Sequence, residues 1–139
     1  MTMVERGGNA KTVMVPNVRK RTLQGVAKPV IDKSAVIMTD AHLAYEGLDD
    51  HFTAHWTVDH SDTYVRGVIF HTNFAESYHS LLKRAVIGTF HHVSDKHLPR
   101  YLSEFDRRWN ERKGNEGANA CGTIESAAGR RLMYKDLVS

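Results

Sequence analysis

One cysteine, Cys121, stands in the whole chain, so no internal disulfide framework is possible and a reducing compartment fits. Its Gly/Asn-rich surroundings predict an exposed thiol with no activating partner. No apolar run approaches the ~20 residues that a membrane-spanning helix requires. Residues 1–8 lack the apolar core of a signal peptide, so the expected location is the cytoplasm, away from membranes. Nine histidines are present, yet there is no CxxC pair and no HExxH, and His91-His92 with His97 is not a metal-ligand spacing. A GxSxG elbow and a Gly-rich phosphate loop are also missing. Structural zinc, serine or cysteine nucleophiles and a P-loop are therefore not expected.

What is present is ordinary globular material. The 139 residues are 41% hydrophobic and 25% charged, enough for one domain and too few for two well-cored ones. A net charge of +3 is mild. Its clustering says more, in Arg19-Lys20-Arg21, Lys83-Arg84, Arg107-Arg108, Arg112-Lys113 and Arg130-Arg131. Each group suits either a polyanion or a solvated helix face.

Two short apolar runs around Gly7-Gly8-Asn9 predict a β-hairpin over residues 2–15. That strand starts almost at residue 1, which leads us to expect further structure upstream. Leu23, Val26, Ala27, Val30 and Ile31 predict a helix over 19–31 that Pro29 kinks or ends. Residues 34–38 have the look of a strand buried on both faces, ending at Thr39-Asp40. An acid at the carboxyl end of such a strand is where α/β folds place functional groups, although Asp40 equally suits a cap for a helix over 41–48. Phe52, Ala54, Trp56 and Val58 alternate as in a half-buried strand. Asp59-His60-Ser61-Asp62 reads as a turn, and 63–70 as a short strand or connector. A long helix over 95–113, capped by Ser94, carries Leu98, Leu102, Phe105 and Trp109. Residues 1–113 form the expected domain, 114–126 a flexible linker without periodicity, and 127–139 a tail with Leu132, Met133, Tyr134 and Leu137.

The stretch from His71 to Arg84 carries the clearest candidate chemistry. At about 100° per residue, Phe74, Tyr78, Leu81 and Leu82 share one face of a helix ending near Gly88. Glu76, His79, Ser80 and Lys83 share the other face. A carboxylate can hold a metal ion and a lysine can hold a phosphate, so this face suits a nucleic-acid backbone. The same letters also suit a capping box, with Asn73 as N-cap and Glu76 as its reciprocal acid.

Several ordered blocks resemble a known family. They are Val15-Pro16-Asn17-Val18, Thr39-Asp40, Tyr64-Val65-Arg66-Gly67, His71-Thr72-Asn73 with Glu76, Ser80-Leu81-Leu82-Lys83-Arg84, and His91-His92-Val93-Ser94 through Tyr101-Leu102. Together they are similar to the C-terminal part of the catalytic domain in ISXO2-like DDE-type insertion-sequence transposases. Gly129-Arg130-Arg131-Leu132 with Tyr134 resembles the end of such a protein.

The resemblance implies an α/β, RNase-H-like fold with C-terminal helices, and metal-dependent DNA cleavage and strand transfer at mobile-element ends. It implies Mg²⁺ or Mn²⁺ as cofactor. Asp40 matches the family's second catalytic aspartate, the third ligand falls at Glu76 or Asn73, and Lys83 is the basic residue that follows. Glu76 is preferred because it lines up with Lys83. DNA contacts are expected from Lys83, Arg84, Arg19, Lys20 and Arg21. The family's first aspartate lies on a strand before residue 1, and Asp32, Asp49, Asp50 and Asp59 come in the wrong order to replace it. The expected role is thus a truncated transposase, weak or inactive alone, able to form homo-oligomers or to mix with an intact transposase. The alternative is a non-catalytic DNA-binding or regulatory module of the same descent.

Overall fold

The computed structural model describes residues 1–58, 73–131 and 133. Strand β1 (Thr2–Val4) pairs antiparallel with β2 (Ala10–Thr12), Thr2 opposite Thr12 and Val4 opposite Ala10. Gly7 turns the hairpin at φ +66°, a conformation that a Cβ would strain. Helix α1 (Lys20–Ala27) follows, and its apolar stripe buries Leu23 and Ala27. Pro29 has no N–H to donate, and the chain leaves through a turn in which Val30 and Ile31 both donate to the Ala27 carbonyl. Strand β3 (Val36–Asp40) then pairs parallel with β4 (Ala54–Val58), Asp40 opposite Val58.

Three further helices carry the second half. They are α2 (Asn73–Ala85), α3 (Leu98–Glu111) and α4 (Glu116–Ala127). Tyr78 of α2, Phe105 and Trp109 of α3 and Ala10 of β2 make one core, with Val4, Phe74, Leu81, Leu82 and Tyr101 packed around it. The Tyr78 and Trp109 rings meet edge-on with centroids 5.5 Å apart. A second buried set, Leu23, Ala27, Ala44, Leu48 and Phe52, lies with α1 and the loop before β4.

The outer edge of β2 is not open. Asn110 accepts from the Ala10 N–H (2.6 Å) and donates to the Ala10 carbonyl (3.1 Å). One turn earlier, Asp106 accepts from the Thr12 N–H (2.6 Å). Two α3 side chains thus take the place of a third strand and block that edge. Arg112 lies over the Trp109 ring (4.2 Å) and donates to the Gly8 carbonyl (3.1 Å), while Lys113 donates to Gly7. These cations hold the hairpin turn, a structural use for the Arg112-Lys113 pair.

Several sequence expectations need correction. Strand β3 is not buried on both faces, since Val36 is 49% exposed. No helix fills 41–48; a single 3-10 turn at Leu43–Tyr45 does. There the His42 Nδ1 accepts from the Ala44 N–H (3.1 Å), and Gly47 at φ +75° ends the turn. Ser94 does not cap α3 with its side chain. Its carbonyl receives the His97 and Leu98 N–H groups, and Pro99 occupies the first turn, where its missing donor costs nothing. The segment expected to be a structureless linker is mostly α4. Asn115 caps it by accepting from Gly117 (2.8 Å) and Ala118 (3.3 Å), and Cys121 is exposed on it. The turn at 59–62, the strand or connector at 63–70, His71, and the tail residues Leu132, Tyr134 and Leu137 lie outside the described residues.

Helix α2 also ends differently. The α-pattern stops at Ala85, a π-turn runs over Val86–Phe90, and His91 takes φ +57° and ψ −39°. His92 N–H closes on the Phe90 carbonyl (2.6 Å) across it. That tight turn is strained for any residue with a Cβ, by about 1–3 kcal/mol. His91→Gly should therefore raise stability by about 1 kcal/mol in urea titration. A lower midpoint would show that the His91 ring supplies more than its backbone costs.

Candidate functional site

Asp40 ends β3, where the parallel ladder stops and the chain turns outward. Its side chain is exposed and Oδ1 accepts from the His42 N–H at 3.4 Å, a weak bond. By strand alternation its carboxylate shares a face with Met38 and Trp56. Burial, with a smaller contribution from the nearby Asp40 charge, raises the Tyr45 hydroxyl above its ordinary range.

Glu76 lies in the first turn of α2, and Lys83 and Arg84 in its last. Both placements favour the helix dipole, so they have a structural use as well. Asn73 is helical, and the residues before it lie outside the described ones. Asn73, Glu76, Lys83 and Arg84 are all exposed, while Tyr78 between them is fully buried. The two-faced helix expected from spacing is thus what forms. The His79 imidazole lies beside the Tyr78 ring, and partial desolvation, then the chain's N-terminal amine and Lys83, hold it below its ordinary range.

Among the described residues, no three or more His, Cys, Asp or Glu side chains converge as a metal site. Asp40 and Glu76 offer the hard oxygen donors that Mg²⁺ prefers, but the set is short of the number such an ion needs.

Arg19, Lys20 and Arg21 are exposed at the start of α1, with no acid in its first turn. Three cations at the positive end of a helix dipole oppose helix stability. Asn17 offsets this by accepting from the Arg19 N–H (3.1 Å) and the Thr22 hydroxyl (2.7 Å). Arg107 and Arg108 are differently employed. Arg107 pairs with Glu104 (2.9 Å) and Glu111 (2.7 Å) and reaches Thr123 on α4, while Arg108 pairs with Glu104 (2.7 Å). These pairs are over a third exposed, worth about 0–1 kcal/mol each.

Sequence reading missed Asp106. Its carboxylate accepts from the Tyr78 hydroxyl (2.5 Å) and the Thr12 hydroxyl (2.9 Å) as well as the Thr12 N–H, joining β2, α2 and α3. Only the position of Asp106 one turn before Asn110, on a helix facing a strand, could have signalled it.

Residues 1–110 match the family described as the ISXO2-like transposase domain. A transposase-like protein of Haemophilus influenzae is 26% identical over 105 residues, covering 71% of this chain and 79% of that protein. No solved structure matches the chain. No described helix is long and apolar enough to cross a membrane. With the family match spanning both hairpin strands, Asp40 and the α2 face, the chain belongs to the ISXO2-like transposase domain family.

Proposed function

We propose that this chain is an RNase-H-like transposase domain carrying two of the three acidic ligands of a DDE site. Asp40 is the second acid and Glu76 the third, with Asn73 the other candidate. Lys83 and Arg84, at the far end of the Glu76 face, contact the DNA backbone, and Arg19, Lys20 and Arg21 extend that contact. The family's reaction is metal-dependent cleavage and strand transfer at mobile-element ends. The site's remaining acid is not among Asp40, Glu76 and Asn73. Alone, the chain is weak or inactive.

The observation that carries this reading is an exposed acid at the carboxyl end of parallel β3, in a chain whose α2 presents Glu76 and Lys83 on one exposed face.

Mn²⁺ titration followed by NMR tests it. Saturable broadening should appear at both Asp40 and Glu76, and Asp40→Ala should weaken binding by about tenfold or more. Element-end DNA with Mg²⁺ should remain uncut by the isolated chain. Cutting that Asp40→Ala abolishes would disprove the incompleteness.

A non-catalytic DNA-binding module is the second reading, favoured by the cations at the unfavourable end of α1. It would stand if Mn²⁺ left both carboxylates unchanged while DNA still bound in a salt-dependent way.

A further inference from the structure

On the face of β3–β4 opposite the Asp40 carboxylate, Thr39 and His55 meet. The His55 Nε2 lies 2.8 Å from the Thr39 Oγ1, and the Thr39 hydroxyl donates to the Asp40 carbonyl at 2.9 Å. A hydroxyl has one proton to give. With that proton on the Asp40 carbonyl, the Thr39 oxygen accepts from His55, which requires Nε2–H. The three groups form a directed chain, imidazole to hydroxyl to peptide carbonyl, and each bond polarises the next.

The location gives this chain a use. Asp40 is the last residue of the described β3–β4 ladder, where a strand end frays unless something holds it. Its carboxylate is exposed and accepts a long bond from the His42 N–H. Thr39 and His55 are half-buried, His55 sits opposite Ile37, and its ring borders an open cleft of about 430 Å³ with His42, Glu46, Asp49 and Thr57. Fixing the Asp40 peptide from behind restricts where the carboxylate can point in front.

We propose that His55, acting through Thr39, is a positioning residue for Asp40. The inference rests on the reading of Asp40 as a site acid. It assigns His55 no contact with DNA or with a reacting atom.

The test is NMR of the full 139-residue chain. In the unaltered protein, ¹⁵N shifts should report the Nε2–H tautomer at His55. Thr39→Val, which removes only the hydroxyl function, should displace the Asp40 side-chain ¹³Cγ resonance and shift its amide. His55→Ala should produce the same displacement, and the double variant should add little. Thr39→Ser keeps the hydroxyl and should restore the original spectrum. His55→Gln keeps an N–H donor and should restore it in large part. Throughout, the Val36 and Ala54 resonances at the far end of the β3–β4 pair report whether that pair persists.

An Asp40 resonance unmoved by both Thr39→Val and His55→Ala would overturn the proposal, as would the Nδ1–H tautomer at His55. Mn²⁺ addition to the unaltered chain separates the two levels. If Asp40 fails to broaden, the site reading fails. If Asp40 broadens but is indifferent to His55 and Thr39, the positioning role alone fails.

Discussion

Replacing Asp106 by alanine is expected to remove a large share of the chain's folding stability. One carboxylate receives three donors, and alanine abandons them all. The Tyr78 hydroxyl keeps a contact of 3.0 Å with Thr12, but the Thr12 N–H loses its Asp106 acceptor. An unmet buried donor costs about 1–3 kcal/mol, and with all three part-buried donors abandoned the substitution should cost about 3–5 kcal/mol. Domains of this kind have about 5–15 kcal/mol in total. Urea denaturation followed by circular dichroism gives the answer directly. Tyr78→Phe, which removes one hydroxyl and keeps the ring, should cost about 1 kcal/mol. A small loss for Asp106→Ala would mean that water replaces the carboxylate at the β2 edge.

The same network predicts a pH signature. Burial, and then the hydrogen bond to Asp106, raises the Tyr78 hydroxyl well above its ordinary value of 10.0. A raised value means that folding favours the protonated phenol. The contribution to stability is complete below about pH 10 and is lost as pH rises from there through the folded-state value. Tyr78→Phe should flatten that alkaline slope.

Leu48→Ala should be nearly as damaging, in the other half of the molecule. Leu48 is 2% exposed, and Leu23, Ala27, Ala44 and Phe52 are likewise buried in the first half of the chain. Truncating a buried leucine costs about 2–5 kcal/mol, the larger figure where the surroundings do not collapse. The neighbouring backbone is tied down, because the Leu48 carbonyl accepts from both His51 and Phe52 (3.0 Å each). Thermal melting should fall by about 10 °C. A loss below 1 kcal/mol would show that the loop repacks. Because this loop leads from Asp40 to β4, the variant should also disturb the β3–β4 pair before it disturbs α3.

Local chemistry was legible in the sequence; long-range pairing was not. The hairpin follows from Gly7-Gly8-Asn9 between apolar runs, and α3 from the spacing of Leu102, Phe105 and Trp109, all of which are buried. The division of α2 into a buried Tyr78 face and an exposed Glu76 face came from periodicity alone. What failed was either compositional or non-local. Residues 114–126 read as a linker because Gly and Asn are poor helix formers, yet Asn115 is a strong N-cap and alanines follow it. The helix expected over 41–48 gave way to a 3-10 turn because His42 bonds its own backbone neighbour and Gly47 turns left-handed. Asp106 and Asn110 look like the solvated face of an amphipathic helix, and only the strand they meet gives them a role. Asp40 and Glu76 could be named because each sits in a recognisable block. Their spatial relation depends on how separate elements pack, which no spacing rule encodes.

The two short sheets have a consequence for motion. Asp40 belongs to the β3–β4 pair, while Glu76 rides on α2, in the core formed with α3 and the hairpin. Among the described residues no backbone ladder joins the two sheets; the Arg6 guanidinium donates to the Met38 sulfur at 3.4 Å, a weak link from the hairpin turn to β3. Cooperative units defined by shared packing open separately, each with its own free energy. Amide hydrogen exchange should therefore run on two clocks, faster along β3 and β4 than along α3 and the buried face of α2. The two acids would then be held together only as firmly as the looser unit is closed. Any strand that bridges β1 and β3 would merge the clocks into one, and the slowing of β3 amides would measure its grip.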